Sequence, residues 1–343
     1  FSGEAWKLYA EDPEFILSPA LGSKIVFLKV KNNTGESKVV RDIINLDYSG
    51  SSETYEFVLK WGTNGSGEGE FDTPTALAID KTDHIYVLDS LNRRVQKFDS
   101  EGKFILEWGK PGIGDGRFFL PTGIAVDDNG NVFVSDAFYC SIQKFTSDGM
   151  FLKKWGEKGT RDGEFQRPVS IGLDRDGYVY VSDDTRNCIQ KFTNDGLFVM
   201  KWGTTGSLIN ELAGPAGLAF DDFQNIWVAE FRNCRLQQFS PSGQSLQNWV
   251  MDKPADAVNM GPVGIAVDGE GSLYVVMGDQ DLNYCWVQKY STNGDLSAEI
   301  GSRGEGEGQF IFPVDVKVDS SGYVYVTDAE RDSVLKYKKN IEN

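Results

Sequence analysis

The sequence has few of the residues that build most metal and catalytic sites. Its 343 residues contain one histidine, His84, and four cysteines. A zinc site of several histidines is therefore excluded, and a serine–histidine–acid triad would depend on this single residue. His84 follows an Asp-containing turn, at a position where related segments carry other residue types, so we expect it to be an ordinary turn residue.

Basic residues and long hydrophobic runs are also scarce. The chain has 34 Lys and Arg against 51 Asp and Glu, a formal net charge of -17. Such a surface repels phosphate backbones and anionic lipid, so nucleic acid is not predicted as a partner. A membrane-spanning helix needs about 18 apolar residues, and the longest apolar candidate, 24–31, is interrupted by lysines. No membrane span is predicted.

The sequence does contain an internal repeat. Prolines recur at intervals of 47 residues, with 51 before the last, at Pro74, Pro121, Pro168, Pro215, Pro262 and Pro313. After each proline comes a short apolar segment ending in Asp, such as 124–127. A fixed period of this length is typical of propellers and other repeat arrays. The sequence therefore predicts six units.

Each unit contains segments typical of short β-strands. In the second unit, 132–136 and 142–145 are rich in β-branched and aromatic residues, and Gly or Asx turns separate the segments. Four antiparallel strands per unit make one blade, so we predict an all-β, six-bladed propeller. The last unit ends after Tyr337 without a fourth strand, whereas 55–62 is a fourth strand with no unit before it. We expect 55–62 to complete the sixth blade and close the ring.

The repeat resembles the NHL family. The stretch from Gly114-Asp115-Gly116-Arg117-Phe118 to Phe145 carries the family pattern, and the match spans 55–337. The resemblance implies a six-bladed propeller, but NHL propellers include protein- and RNA-binding modules, sensor domains and a zinc- and calcium-dependent amidating lyase. The single histidine disfavours the lyase chemistry, and the acidic charge disfavours RNA binding.

The loops between second and third strands are the predicted binding face, because loops on a rigid scaffold usually carry function. The repeated acids that end the second strands, such as Asp136, are expected to accept hydrogen bonds from their own loops. Departures from the repeat are more informative, and aromatic and arginine side chains are common in interaction sites. We therefore predict a ligand-binding face formed by Tyr139, Arg186, Arg232, Tyr284, Trp286 and Arg331.

The first strand of the sixth unit departs from the others. It carries Asp315 and Lys317 where other units have small residues, and a spacing of two places both side chains on one side of a strand near the axis. We predict an ion pair that seals the closing blade. The alternative is that Asp315 binds a cation or substrate in the channel.

The four cysteines occupy one loop type in units two to five: Cys140, Cys188, Cys234 and Cys285. None forms a Cys-x-x-Cys pair, so a zinc site is not favoured. Disulfides between neighbouring loops, Cys140 with Cys188 and Cys234 with Cys285, require Cα atoms within about 7 Å. The alternative is four small buried thiols. Both interpretations remain open from the sequence.

Residues 1–54 do not match the repeat. The segments 24–31 and 36–46 alternate apolar and polar residues around a turn, which predicts a β-hairpin. Residues 1–23 are expected to be extended, either as a strap on their own propeller or as an arm that adds a strand to another subunit in self-assembly. We therefore predict two parts, an N-terminal arm and hairpin in 1–54 and the propeller in 55–343.

These patterns predict a non-catalytic binding or scaffolding protein whose loop face binds a protein, peptide or glycan. No catalytic residue and no cofactor are predicted. One alternative is a metal-dependent hydrolase or lyase with calcium held on the axis by carboxylates and backbone carbonyls. Another is an extracellular structural subunit assembled through the N-terminal arm. The acidic balance and the disulfide interpretation favour a secreted or extracytoplasmic location.

Overall fold

The computed structural model describes residues 7–8, 22–31, 37–46, 53–254, 256–279 and 284–340. The chain divides into two compact units, Phe1–Ser52 and Glu53–Asn343. Every regular element in the described ranges is a β-strand. A helix with the length and hydrophobicity needed to cross a membrane is absent from these ranges.

The N-terminal unit contains the predicted hairpin. Gly22–Lys31 pairs antiparallel with Ser37–Leu46, and Lys7–Leu8 adds a short third strand beside Val30 and Lys31. Residues 1–6 and 9–21, which include most of the predicted strap or arm, lie outside the described residues. Whether this segment mediates self-assembly therefore stays a prediction.

The second unit is a propeller of six four-stranded antiparallel blades, as predicted. The strands, in blade order, are Pro74–Ile79, Ile85–Asp89, Arg94–Phe98 and Phe104–Trp108; Pro121–Val126, Val132–Asp136, Ser141–Phe145 and Phe151–Trp155; Pro168–Leu173, Val179–Asp183, Cys188–Phe192 and Phe198–Trp202; Pro215–Phe220, Ile226–Glu230, Arg235–Phe239 and Ser245–Val250; Met260–Val267, Leu273–Asp279, Cys285–Tyr290 and Leu296–Ile300; Pro313–Val318, Val324–Asp328, Ser333–Lys339 and Tyr55–Trp61.

Short parallel pairs precede blades two, four and six, where the chain passes from one blade to the next. They join Lys110–Pro111 to Arg117–Phe118, Thr204–Thr205 to Glu211–Leu212, and Ser302–Arg303 to Gln309–Phe310. Each of these linkers brings a fully buried apolar side chain under the blade edge, as Phe118 and Leu212 do. The linkers therefore contribute to the core between blades as well as connecting them.

The ring is closed by the beginning and end of the propeller chain. Tyr55–Trp61 pairs antiparallel with Ser333–Lys339, so the sixth blade contains strands from both ends. The flanking residues extend the junction, since the Asn340 N–H donates to the Thr54 carbonyl at 2.8 Å and the Glu53 N–H donates to the Ser297 carbonyl of blade five at 3.2 Å. The predicted closure is confirmed. It leaves no unpaired edge between the first and last repeats.

The second and third strands form the core. In blade three, Val179–Asp183 and Cys188–Phe192 are buried along their whole length because neighbouring blades cover both faces. The outer strand Phe198–Trp202 instead alternates between half-buried and exposed residues. Burial therefore decreases from the inner strands to the outer strand of the blade. Because the inner strands are covered on both faces, the accessible surface near the axis is formed by the loops at the two ends of each blade.

We call the two ends of the propeller the loop face and the turn face. The loop face carries the residues just before each first strand and the loops between second and third strands, such as 184–187. The turn face carries the turns between first and second strands, such as 174–178. The repeated acids at the loop face bind their own loops as predicted: the buried carboxylate of Asp183 accepts the backbone N–H groups of Gln166, Arg167 and Arg186 at 2.7, 3.1 and 3.1 Å.

Candidate functional site

The propeller has two cavities of similar size, one of about 570 Å³ and one of about 540 Å³. The cavity of about 540 Å³ lies on the loop face. Blades three to six all contribute to the smaller one, and four consecutive blades converge only near the axis. We call it the mouth cavity; its principal side chains are Arg167, Asp184, Phe231, Arg232, Val263 and Phe312.

The charges of the mouth cavity stand at positions where the repeat is broken. The residue before the repeated proline is charged in blade three alone, in the series Thr73, Leu120, Arg167, Gly214, Gly261 and Phe312. The residue after the second-strand acid is also charged in blade three alone, in the series Ser90, Ala137, Asp184, Phe231, Gly278 and Ala329. Both departures therefore occur in one blade, and the fold brings them together.

Arg167 and Asp184 form an ion pair, with Nη1 2.9 Å from Oδ2. Arg232, from the next blade, donates through Nη1 to the Asp184 carbonyl at 3.1 Å, and its Nη2 lies 3.9 Å from Oδ2. The Asp184 side chain is 15% exposed, whereas those of Arg167 and Arg232 are 53% and 54% exposed. Two cations and one anion give the cavity a formal charge of +1 in a chain of net charge -17.

The surrounding backbone fixes these side chains. The Asp184 N–H donates to the Arg167 carbonyl at 3.2 Å, and the neighbouring acid Asp183 binds the Arg167 N–H at 3.1 Å. Gly214 adopts a left-handed φ of +63°, and a Cβ there would lie 3.0 Å from Cγ of Arg232. A glycine at 214 therefore provides both the backbone conformation and the space that Arg232 occupies.

The central channel contains the predicted pair of blade six. Nζ of Lys317 lies 2.7 Å from Oδ1 of Asp315, which is the ion pair that the sequence suggested. The other oxygen of Asp315 accepts the Leu77 N–H of blade one at 3.1 Å, and Oδ1 also accepts the Val316 N–H at 2.9 Å. Asp315 thus joins the first strands of the last and first blades, and its oxygens are already hydrogen-bonded.

Two arginines of the predicted ligand-binding face bind backbone instead. The Arg186 guanidinium donates to the carbonyls of Thr160 and Arg161 at 2.6 and 3.1 Å, and also to that of Glu164. Arg331 does the same with Glu305 and Gly306 at 2.7 and 3.0 Å. Since Arg94 and Arg235 hold the equivalent loops of blades one and four, these arginines maintain the glycine-rich linkers.

The predicted aromatic residues lie apart from the mouth cavity. Tyr139 packs against Phe138 with ring centroids 5.3 Å apart, and Lys154 lies over its ring. Tyr284 and Trp286 contact each other in blade five, and the Tyr284 hydroxyl donates to Asp256 at 3.0 Å. Residues 280–283, the rest of the blade-five insertion, lie outside the described residues. Of the six side chains predicted for a binding face, Arg232 lines the mouth cavity.

All four cysteines are buried free thiols. Sγ of Cys140 donates to the Gln166 carbonyl at 3.3 Å and Sγ of Cys285 to the Phe310 carbonyl at 3.7 Å, so these thiols face the linker beside their own blade. None of the four is paired in the structure, an arrangement that agrees with the buried-thiol alternative. Burial raises the pKa of Cys188 and that of Cys285 to about 11, because a thiolate is poorly solvated there.

The donor set does not suit a calcium ion on the axis. Within the described ranges, groups of three or more His, Cys, Asp or Glu side chains that could share an ion are absent. Asp184 is paired with Arg167 and Asp315 with Lys317, so a cation would compete with a fixed positive charge at either carboxylate. Calcium prefers six to eight oxygen ligands, which these two sites do not assemble.

The cavity of about 570 Å³ lies on the turn face between blades five and six. The buried lysine among its lining residues, Lys289, has a side chain that is 3% exposed and pairs with Glu53 at 2.8 Å and Asp268 at 3.6 Å. Tyr274 donates to Asp268 at 3.1 Å. The same Asp–Tyr–Lys arrangement occurs in blade three, where Asp174, Tyr180 and Lys191 take these roles. A set that recurs in this way supports the blade, so this cavity is the weaker candidate.

Comparisons with known proteins identify the fold. No family model matches the chain, and a search of curated proteins finds no match. Among solved structures, it is similar to a streptogramin B lyase at 15% identity, covering 98% of both chains with a TM-score of 0.55. It is also similar to a gluconolactonase from Xanthomonas campestris at 15% identity, covering 85% of this chain and 99% of that one with a TM-score of 0.58.

A third similar structure is the PQQ-bound aldose sugar dehydrogenase from Streptomyces coelicolor, at 14% identity and a TM-score of 0.55, covering 84% of this chain and 99% of that one. At these identities the likeness shows a shared six-bladed propeller fold. The three named structures are nevertheless enzymes. Our prediction of a non-catalytic binding or scaffolding protein is therefore wrong, and the hydrolase or lyase alternative fits the comparisons better.

Arg167 and Asp184 were missed from the sequence, although a signal for them exists. Neither residue belongs to the repeated acids or to the loop positions that carry the predicted aromatic and arginine side chains. The two charged positions next to the repeated Pro168 and Asp183 have no charged counterpart in any other unit. Comparing the residues that flank the repeat motifs would have found both.

Proposed function

We propose that the propeller is an enzyme of the hydrolase or lyase class that cleaves a carbon–oxygen bond next to a carbonyl, as in a lactone or ester. The observation that carries the proposal is the Arg167–Asp184 pair at the mouth of the channel. It combines a fixed cation and a carboxylate within 2.9 Å in a cavity of about 540 Å³, large enough for a small molecule.

Arg167 and Asp184 supply complementary functions. The guanidinium of Arg167 hydrogen-bonds the carbonyl oxygen of the substrate and stabilises the negative charge that develops on it. The carboxylate of Asp184 accepts a proton. Because the two groups contact each other, a substrate carbonyl bound to Arg167 lies next to the proton acceptor.

Two reactions follow from this arrangement. In hydrolysis, Asp184 takes a proton from water as the water oxygen bonds to the carbonyl carbon, and returns it to the alkoxide as the ester carbon–oxygen bond breaks. In elimination, Asp184 takes the proton from the carbon next to the carbonyl, and its C–H electron pair forms the double bond as the oxygen substituent leaves the adjacent carbon with the C–O electron pair. Asp184 then releases the proton to the departing oxygen group or to solvent. The similar solved enzymes named as a lyase and a gluconolactonase support this pair of reaction classes.

We further propose that the repeats are of NHL type. The residues that support this are the glycine-rich linker ending in Phe118, the strand after Pro121 and the Gln143-Lys144-Phe145 segment, each with counterparts in other blades. No role for calcium is included in the proposal, because the carboxylates near the axis are already paired with cations.

The test is an activity screen of the purified protein against lactones, aryl esters and cyclic depsipeptides that carry an ester bond. We expect turnover of at least one class and a loss of about 100-fold or more in Asp184→Asn, since a general base contributes about 10²–10⁴-fold. Product mass distinguishes the reactions, because hydrolysis adds one water and elimination adds none.

Arg175→Gln is the matched control for an Arg167→Gln variant. Arg175 lies just beyond the same strand, on the turn face, and pairs with Asp222 with 65% of its side chain exposed. It should keep full activity, whereas Arg167→Gln should lose most of it. Turnover that survives in Asp184→Asn and Arg167→Gln would overturn the assignment of this site.

A further inference from the structure

Arg232 lines the mouth cavity and has an unused hydrogen-bonding edge. Its Nη1 donates to the Asp184 carbonyl at 3.1 Å and approaches Oδ1 of Asn187 at 3.4 Å. Its Nε and Nη2 have no hydrogen-bond partner among the described residues, and the nearest carboxylate oxygen to Nη2 is 3.9 Å away. A guanidinium held at one nitrogen and free along its Nε–Nη2 edge is positioned for a two-oxygen acceptor.

The position of Arg232 is specific to blade four. The corresponding residues of blades one and two are Leu91 and Phe138, both exposed apolar side chains. Gly214 provides space for the arginine, since a Cβ there would lie 3.0 Å from its Cγ. The carbonyls that bind Arg186 and Arg331 belong to linkers, whereas the hydrogen bonds of the Arg232 side chain to described residues go to the loop that carries Asp184. Arg232 therefore does not maintain a linker.

The rest of the cavity indicates what kind of group Arg232 receives. Arg167, Arg232 and Asp184 leave one uncompensated positive charge, which a monoanion balances and a dianion exceeds. Phe231, Val263 and Phe312 add apolar surface beside the charges. A carboxylate attached to an apolar body matches both features, because a planar carboxylate accepts two parallel hydrogen bonds from a guanidinium edge.

We propose that Arg232 is a specificity-determining residue that binds a carboxylate of the substrate, separate from the bond that is cleaved. This inference rests on the proposed function for its catalytic part. The substrate class is then a lactone or ester that carries a free carboxylate on an apolar body. Arg167 and Asp184 act at the carbonyl, and Arg232 holds the other end of the molecule.

Direct binding tests this without turnover. Phenylacetate and its neutral analogue phenylacetamide are titrated into the full chain by calorimetry. We expect phenylacetate to bind roughly 10- to 100-fold more tightly, the range expected for a charge-assisted bidentate contact. Arg232→Gln should remove that difference, Arg232→Lys should keep part of it, and the control Arg175→Gln should keep all of it. Phenyl phosphate should bind more weakly than phenylacetate.

Any one of three results would overturn the inference. The first is equal affinity for phenylacetate and phenylacetamide, and the second is an unchanged preference for phenylacetate in Arg232→Gln. The third is tighter binding of phenyl phosphate than of phenylacetate. Circular dichroism and the melting temperature of Arg232→Gln show that its fold is retained, as expected for a side chain that is 54% exposed.

Kinetics separates failure of this inference from failure of the proposed function. For a substrate with a free carboxylate, Arg232→Gln should raise KM with a smaller effect on kcat, and for its methyl ester the variant should match the wild type. Turnover that depends on Asp184 but not on the substrate carboxylate would contradict the inference and leave the proposed function standing. Binding of phenylacetate through Arg232 without turnover of any substrate would support the inference and contradict the proposed function.

Discussion

Two adjacent aspartates of blade three, Asp183 and Asp184, differ in what they bind. Asp183 is fully buried, binds three backbone N–H groups of its own and the preceding loop, and has an acidic counterpart in four of the other five blades. Asp184 has no acidic counterpart, is 15% exposed and binds arginines beside a cavity. In this propeller, the repeated polar residue supports the blade and the unrepeated one faces solvent where a ligand can reach it.

The arginines show the same distinction. Arg186 and Arg331 carry out the same task in two blades, binding the carbonyls of a glycine-rich linker. Arg232 lies one residue earlier in its loop relative to the repeat and lines the mouth cavity instead. A repeated position has to satisfy the same local backbone in each blade, so it has little freedom to change. A position without that task is free to diverge, and the proposed site is built from such positions.

The largest expected effect is on stability, in Asp183→Ala. Removing the carboxylate leaves backbone donors without partners in a buried loop, at about 1–3 kcal/mol each, so we expect a loss of about 3–5 kcal/mol in the free energy of unfolding. Asp184→Ala should lose about 1 kcal/mol or less, because its partners remain solvated. Urea denaturation of the two variants measures both values. Equal losses would break the distinction between the two residues.

A smaller difference is expected between Arg186→Gln and Arg232→Gln. The first variant loses hydrogen bonds from a charged group to linker carbonyls, which corresponds to about 1–3 kcal/mol of stability. The second should change stability by less than about 0.5 kcal/mol, since its side chain is largely exposed. The same denaturation experiment applies. A larger loss in Arg232→Gln would show that Arg232 supports the fold.

The cysteines are also repeated residues, and the property to compare is the reactivity of their thiols. They lie at the start of the third strand or directly before it in four blades, so we expect inert packing thiols. Because burial raises the pKa of Cys188 and Cys285 to about 11, their thiolate fraction at pH 8 is about 10⁻³ and rises only as the pH approaches 11. A thiol-reactive chromophore should therefore react slowly at pH 8 and count four thiols after denaturation. Fewer than four in denaturant without reductant would indicate a disulfide.

The smallest expected effect is that of a chelator. With no cluster of three or more metal-ligand side chains among the described residues, removal of calcium should shift the melting temperature by less than about 1 °C. Scanning calorimetry with and without excess chelator measures the shift. A fall of several degrees, restored by calcium, would show that backbone carbonyls complete a site at the axis and would reopen the calcium-dependent alternative.

The fold could be predicted because the same local sequence pattern occurs in each of the six blades. Six prolines in register, the glycine-rich linkers and the unmatched fourth strand at 55–62 specify blade number and ring closure from local patterns alone. The Asp315–Lys317 ion pair could also be predicted from the sequence, since a spacing of two places both residues on one side of a strand.

The candidate site could be predicted only in part. Arg186 and Arg232 look alike as loop arginines, and only the structure shows that one binds linker carbonyls while the other faces a cavity. Asp184 was hidden because it follows a repeated acid that has a clear structural role. The pairing of Arg167 with Asp184 depends on the fold bringing together residues 17 positions apart at the loop face, which strand periodicity does not indicate.

The most direct test of the account is a crystal structure of the propeller with a slowly cleaved substrate or its product bound. The account predicts ligand density in the mouth cavity, with a carbonyl or carboxylate oxygen within hydrogen-bonding distance of Arg167 and next to the carboxylate of Asp184. Density confined to the cavity between blades five and six, or to the aromatic residues of blade two with the mouth cavity empty, would contradict it.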